Sequence, residues 1–259
     1  MNNTASAKRR TAAILASALF GMSAVLCQAA PTLKEIHMTT QQNTSTDALS
    51  VRQQAIVPIA AFAASGDMAR LNAALNDGLD AGLTVSEAKE VLIQVVAYAG
   101  FPRSLNALGE CMKVLEARQQ RGVHDPAGHA PSRPIPVGAA LLAVGGANQT
   151  RLAGAPVKGA LFDFAPAIDA YLKTHLFGDI FERDNLDWQS RELATLAMLS
   201  ALPGAESQLQ SHVRISMNVG ITAPQLQQLV PLLQARVSAD NATRMRTVLQ
   251  QTLDPSSSH

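Results

Sequence analysis

Apolar residues recur at helical spacing along most of the chain, most clearly between Asp187 and Thr222. One apolar stripe precedes the pair Pro203-Gly204 and a second follows it; their residues are Leu193, Leu196, Ala197 and Ser200, then Leu209, His212, Val213 and Ser216. Spacings of three and four residues on both sides of a Pro-Gly break predict two antiparallel helices. His212 is therefore expected to point into an apolar seam.

The same periodicity predicts four helices in the first half of the chain, over about 51–64, 67–80, 84–100 and 102–120. Asp67 is a suitable N-cap for the second helix, and Thr84 with Glu87 forms a capping box for the third. Gly82 precedes this box, and we expect it to end a helix with a positive φ. Few aromatic residues and many alanines and leucines also favour helices over strands.

A shift of 138 residues places the first half on the second without a gap. The matched pairs are Ala63 with Ala201, Gly66 with Gly204, Leu71 with Leu209, Gly82 with Gly220, and Thr84 with Thr222. The sequence therefore predicts an all-α protein of two tandem helical repeats, 51–121 and 161–253. The polar positions do not repeat, because Ala74 stands opposite His212 and Gln54 opposite Glu192.

The flanking segments are predicted to lie outside the folded repeats. A basic start and an uncharged apolar run of 16 residues, Thr11 to Leu26, are typical of a signal peptide over 1–29, cleaved after Ala29. This run is too short for a membrane span, which needs roughly 20 residues. We expect an exported protein, periplasmic or secreted and not stably inserted in a membrane; Arg9-Arg10 leaves Sec and twin-arginine export open. Residues 30–50 predict a disordered spacer, and 254–259 a disordered tail.

Residues 122–160 predict a long connection rich in proline and glycine between the repeats. Within it, 148–150 are expected to form a short strand or an arm over the neighbouring half. His124 and His129 are expected to be exposed, because a metal site would need more ligands nearby.

Composition excludes several classes of function. The formal net charge is +1, and no cluster of basic and aromatic residues suggests nucleic-acid binding. Signal cleavage would leave one of the two cysteines, Cys111, with neither a CxxC nor a Cys/His metal pattern. Cys111 lies in an apolar helical stripe, so we interpret it as an inert core thiol. No metal site is expected.

Candidate chemistry centres on His212. An imidazole in an apolar seam needs a hydrogen-bond partner or a role in proton transfer. Glu192 is the nearest acidic candidate on the preceding helix, and counting residues from Gly204 gives an axial offset of roughly 6 Å at 1.5 Å per residue. We therefore expect a water or a local 3₁₀ turn to help the two groups meet. Either His212 exchanges protons or it is a core imidazole that Glu192 satisfies.

Motifs from both repeats resemble the carboxymuconolactone decarboxylase family, which includes alkyl hydroperoxidase D. Over about 52–121 and 165–236, the matching residues are Gly82-Leu83-Thr84, Glu87, Glu90, Tyr98-Ala99-Gly100-Phe101-Pro102, Arg183, Leu186, Arg191-Glu192, Leu209, His212 and Gly220-Ile221-Thr222. The resemblance implies an all-helical fold without cofactors that assembles as rings. A fused pair of repeats is then expected to form a homo-oligomer, a trimer that imitates a hexamer.

The resemblance also limits the chemistry. The peroxidase branch works through a CxxC on the histidine-bearing helix, and the corresponding stretch 205–208 has no cysteine. The decarboxylase branch uses no thiol, which implies acid/base decarboxylation or isomerisation of a small carboxylate or lactone. His212 would donate the proton, Glu192 would orient it, and Arg191 would bind the substrate anion.

Arg183 and Tyr98 are the expected substrate-binding residues, Tyr98 only if its turn closes over His212 to make a composite pocket. Alternatives stay open for several of these residues. Arg183 and Arg191 would otherwise lie on solvated helix faces, and Glu87 and Glu90 are favoured as helix-capping residues. The alternative functions are a non-catalytic, ring-forming binding or scaffold protein, and an antioxidant protein acting through Cys111, which the missing CxxC disfavours.

Overall fold

The computed structural model describes residues 47–253, and the regular secondary structure in this range is entirely helical. The predicted signal peptide, most of the predicted spacer and the predicted tail lie outside these residues. The helices are α1 (Val51–Ser65), α2 (Met68–Asp80), α3 (Val85–Gln120), α4 (Ala139–Ala153), α5 (Ala160–Phe164), α6 (Pro166–Tyr171), a π-helix (Leu172–Ile180), α7 (Trp188–Ser200), α8 (Glu206–Asn218), α9 (Ala223–Arg236) and α10 (Ala239–Leu253).

The tandem repeat is present in the structure. Both Thr84 and Thr222 form capping boxes, at the starts of α3 and α9. The glycines paired by the 138-residue shift have matching left-handed conformations, with φ of 91° at Gly82 and 94° at Gly220. α3 is broken at Gly100 (φ 81°), and the same shift places residue 101 opposite Ala239, where α10 begins. Each repeat therefore contributes four helical segments.

The two repeats share one hydrophobic core. Equivalent helices α1 and α7 pack against each other, and their middle turns are buried on every side, from Ala55 to Ala64 and from Ser190 to Ser200. A helix that is buried on every side lies in the middle of a core rather than at its surface, and the buried residues of α7 include Arg191 and Glu192. Residues 47–253 accordingly lie within one compact unit.

The connection between the repeats is more ordered than the sequence suggested. Backbone N–H groups of Val85 and Ser86 donate to the carbonyls of Pro126 (2.9 Å) and Ala127 (3.0 Å), so this stretch satisfies orphan donors at the start of α3. His124 and His129 are exposed, as predicted.

Of the two structures expected at 148–150, the short strand is wrong, because these residues lie near the end of α4, which packs on the π-helix and α8 of the second half. Alanines and leucines over 139–143 favour the helix, and Gly154 ends it with a φ of 78°. The polar residues that suggested an irregular segment instead occupy its last turns.

α4 packs against the π-helix at unusually close range. A Cβ on Gly145 would lie 1.7 Å from the carbonyl oxygen of Lys173, and one on Gly178 would lie 2.7 Å from Leu141 Cδ1. The two elements enclose a second apolar cluster with α8, formed by Leu152, Leu176, Phe177, Ile180, Phe181 and Ile215. This layer covers the face of α8 that carries His212.

Within residues 47–253, every helix falls short of the length or the hydropathy that a bilayer span requires.

Candidate active site at His212

His212 and Glu192 form a direct hydrogen-bonded pair between α8 and α7. His212 Nδ1 lies 2.8 Å from Glu192 Oε2, with Glu192 fully buried and His212 only 7% exposed. The expected bridging water is therefore wrong, whereas i→i−3 hydrogen bonds from Ala201 to Met198 (3.0 Å) and from Leu202 to Leu199 (3.2 Å) form a local turn of the expected 3₁₀ type. α7 ends at Ser200 and α8 begins at Glu206, so Glu192 and His212 differ by two residues in their distance from the turn. At 1.5 Å per residue this is an offset of only about 3 Å, which a glutamate side chain spans.

Tyr98 of the first repeat contacts this pair from the second. Its ring meets the edge of the His212 ring, with centroids 5.7 Å apart at 78°. Gln94 Nε2 donates to Thr195 Oγ1 (2.8 Å), and Thr195 Oγ1 donates to Tyr98 Oη (3.1 Å). Burial raises the pKa of Tyr98 well above its ordinary value, and the charge of Glu192 raises it further. Tyr98 is therefore a neutral phenol that helps to fix the imidazole.

Arg183 and Arg191 meet at Glu90 rather than at His212. Arg191 Nη2 donates to Glu90 Oε2 (3.0 Å), and Arg183 donates to both carboxylate oxygens, at 2.7 Å and 2.9 Å for the shorter bond to each. Asn185 Nδ2 adds a bond of 3.0 Å to Oε1. Glu90 belongs to the first repeat, whereas Arg183 precedes α7 and Arg191 lies within it. The cluster therefore joins the two halves.

Burial shapes the ionisation of this cluster. It would by itself raise the pKa of Glu90, but hydrogen bonds from Arg183 and Arg191 outweigh it and hold that pKa below its ordinary value. Burial also lowers the pKa of Arg191, which is 0% exposed, while Glu90 offsets part of the effect. The alternative that Arg191 lies on a solvated helix face is therefore wrong. The interpretation of Glu90 as a helix-capping residue is also wrong, although Glu87 does cap α3. The guanidinium groups expected to bind substrate are instead held by Glu90.

A cavity of about 530 Å³ reaches His212. Most of its lining is apolar, and its five polar residues are Gln149, Gln208, Ser211, His212 and Arg214. Ser211 and Arg214 are exposed, so the cavity opens toward the surface beside them. Arg183, Arg191 and Tyr98 are not among the lining residues. Tyr98 thus contacts the imidazole without forming the cavity wall.

Sequence reasoning missed Gln149 and Arg214. The sequence places Gln149 in the connection between the repeats, and its position is informative only because α4 is a helix. Its side chain is 4% exposed and makes no hydrogen bond within residues 47–253. Arg214 lies two residues after His212 on α8, a signal that was present in the sequence. It forms no ion pair in the described part of the chain.

A larger cavity, of about 750 Å³, lies on the other side of Gln149, Val157 and Phe162, which line both. Its charged residues are two lysines and two aspartates, and Lys173 is paired with Asp169 at 2.5 Å. It has no histidine in its lining, so we place the candidate chemistry in the smaller cavity.

Cys111 lacks the exposed and readily ionised thiol that a nucleophile needs. It is 2% exposed, and burial raises the pKa of its thiol to about 11. Among residues 47–253, no group of three or more histidine, cysteine, aspartate or glutamate side chains is arranged to hold a metal ion.

Two comparisons with known proteins found similarity to this chain. The model of the carboxymuconolactone decarboxylase family matches two regions, residues 31–110 and 166–251. The chain is also similar to a 4-carboxymuconolactone decarboxylase of Acinetobacter baylyi, with 33% identity over 70 residues. That match covers 27% of this chain and 52% of the relative, so the chain spans about half the length of the curated protein it matches.

Proposed function

Because this chain belongs to the carboxymuconolactone decarboxylase family, we propose that it carries out acid/base chemistry without a cofactor on a small carboxylate or lactone. The reaction is a decarboxylation or an isomerisation. His212 exchanges the proton, and Glu192 orients it.

One observation carries this proposal: His212 lines a cavity while its Nδ1 is held by a buried carboxylate. With Nδ1 engaged, Nε2 is the nitrogen left to exchange a proton with a bound molecule. Glu192 fixes the ring orientation from one side, and Tyr98 packs on the ring from the first repeat. A histidine held only for structure would not need an accessible face.

For a decarboxylation, the bond between the substrate carbon and its carboxylate breaks and CO₂ leaves. The electron pair stays on the substrate and is delocalised into a conjugated carbonyl group. Protonated His212 then delivers a proton from Nε2 to that carbon, and water returns a proton to the ring. In total, one carboxylate and one proton give CO₂ and the protonated product. In an isomerisation, the same nitrogen removes a proton from one carbon and returns it to another.

The test is a His212→Gln variant. We expect turnover to fall by about 10²–10⁴-fold, the usual contribution of a general acid or base. CO₂ release reports decarboxylation, and exchange of substrate C–H for C–D in D₂O, followed by NMR, reports isomerisation. Both are measured on conjugated keto acids and lactone acids.

The matched control is His129→Gln, which changes an exposed histidine in the connection and should leave turnover unchanged. Circular dichroism and the mass in solution establish that both variants fold and assemble alike. A folded His212→Gln protein with wild-type turnover would refute acid/base chemistry at this residue and favour a non-catalytic binding or scaffold protein.

Assembly is a second part of the proposal. The C-terminal segment of α3 carries exposed Phe101, Leu105 and Met112 at helical spacing, a stripe that favours contact with another copy of the chain. We propose a homo-oligomer, a trimer in the arrangement that the repeats suggest. Light scattering measures this oligomeric state.

We also propose export to the periplasm or beyond on the basis of residues 1–29. Cell fractionation measures this location.

A further inference from the structure

The cavity at His212 has an apolar body. Nine of its fourteen lining residues are aliphatic, aromatic or alanine side chains, contributed by α4, the segment 157–168, the π-helix and α8. Leu161, Phe162, Leu176 and Phe177 are among them. At about 530 Å³, its size falls in the range of small-molecule sites, roughly 300–1,000 Å³. A ligand that fills it needs a substantial apolar part, because polar groups against this wall would lose their hydration without gaining partners.

Arg214 supplies the permanent positive charge of this cavity. Arg214 is the only charged residue of fixed sign in its lining, and within residues 47–253 it has no acidic partner. An arginine in this state is suited to one carboxylate, which it can bind with two parallel hydrogen bonds. A second carboxylate placed against the apolar part of the wall would face leucine and phenylalanine side chains, which cannot neutralise it.

Gln149 is a second, independent indication of a ligand. Gln149 is 4% exposed, lines this cavity as well as the larger one, and its amide has no hydrogen-bond partner in the described part of the chain. Buried amides are nearly always paired. A neutral oxygen of the ligand, such as that of a ketone or lactone, would accept from its NH₂ group without requiring a further charge.

These observations deepen the function proposed above and rest on it. We propose that the substrate is an apolar monocarboxylate with one ketone or lactone oxygen. Its carboxylate binds Arg214, its carbonyl oxygen binds Gln149, and its apolar body fills the space lined by Phe162 and Phe177. Compounds with two or three carboxylates are excluded by the same wall.

The test uses isothermal titration calorimetry on the full chain as purified. The probe is 4-oxo-4-phenylbutanoate, which has one carboxylate, one ketone and a phenyl ring. The comparison compound is its analogue with a second carboxylate at the far end of the ring. We expect the monocarboxylate to bind and the dicarboxylate to bind at least about tenfold more weakly, a difference of about 1.4 kcal/mol.

Arg214→Gln should weaken binding of the monocarboxylate by about 10–100-fold, the range expected when a hydrogen bond to a charged group is lost. The matched control is Arg246→Gln, an exposed arginine of α10 that lines a different cavity; it should bind as the wild type does. Equal binding of the two compounds, no binding of the monocarboxylate, or unaltered binding by Arg214→Gln would each overturn the proposal.

His212→Gln separates this proposal from the proposed function. If the variant binds the probe as the wild type does but no longer turns over the acids that the wild type converts, both the ligand class and the acid/base function stand. If the probe binds with the expected dependence on Arg214 while His212→Gln turns substrates over as the wild type does, the ligand class stands and the acid/base function falls.

Discussion

Replacing Glu90 with glutamine should destabilise the protein strongly, because it removes the only acid bonded to Arg191 in the described part of the chain. Glu90 is 1% exposed and Arg191 is 0% exposed, so the arginine would remain charged and buried without its counter-ion. Arg183, at 28% side-chain exposure, can recover part of its hydration. The change therefore acts mainly through Arg191, at the junction between the repeats.

Removing one partner of a buried ion pair costs about 3–5 kcal/mol. For a domain of this size, roughly 2–4 °C of melting temperature corresponds to each kcal/mol, so we expect the Glu90→Gln protein to melt about 6–20 °C lower. The control is Glu87→Gln, one turn earlier on α3. Its pair with Arg52 is partly exposed, and glutamine can replace glutamate in a capping box, so the loss should stay below about 1 kcal/mol. Calorimetry and urea unfolding measure both.

The effect should also depend on pH. The pKa of Glu90 is held below its ordinary value of 4.5 in the folded protein, so its contribution is fully present above that value and is lost as pH falls through the folded pKa. The difference between wild type and Glu90→Gln should thus be constant near neutral pH and shrink in acid. A loss below about 1 kcal/mol at pH 7 would refute the view that this cluster holds the repeats together, since a buried pair should cost several times more.

Two further predictions concern packing and the thiol. Gly145→Ala should destabilise the protein by about 1–3 kcal/mol or more and loosen α4, because its Cβ would meet the Lys173 carbonyl. The control is Gly146→Ala, where the nearest atom to the new Cβ lies 3.8 Å away. In thermal unfolding and limited proteolysis, this control should match or exceed the stability of the wild type. Cys111 should react with thiol reagents far more slowly in the native protein than in urea. The Cys111→Ser variant should behave as the wild type does toward peroxide. Rapid labelling of the native protein, or peroxide consumption that depends on Cys111, would contradict an inert thiol.

Local signals in the sequence were sufficient for most of the fold. Capping boxes at Thr84 and Thr222 and the glycines after α1 and α2 act over a few residues, so they can be recognised without tertiary structure. The 138-residue repeat then fixed the order of the helices. The failure came at α4, where polar residues near a helix end resembled an irregular segment although good helix formers precede them.

The site was less predictable, because its residues meet across long separations. Pairing of His212 with Glu192 followed from one hairpin and could be inferred. The Glu90 cluster joins residues about one hundred positions apart. It pairs Glu90, expected to cap a helix, with Arg191, expected to bind the substrate anion. The residues near Glu90 in the sequence give no sign of this distant partner. Gln149 and Arg214 likewise gained meaning only from the cavity that α4 and α8 enclose.

Duplication of a helical unit would ordinarily give two copies of every polar cluster in it. Here the first copy has alanine where the second has His212, and it supplies Glu90, Gln94 and Tyr98 to the second copy's residues. Within residues 47–253 the buried imidazole–carboxylate pair accordingly occurs once, in the second copy, and a separated second repeat would lose the counter-ion of Arg191 and the ring packed on His212. The two copies have become complementary parts of one structural unit, each incomplete without the side chains of the other.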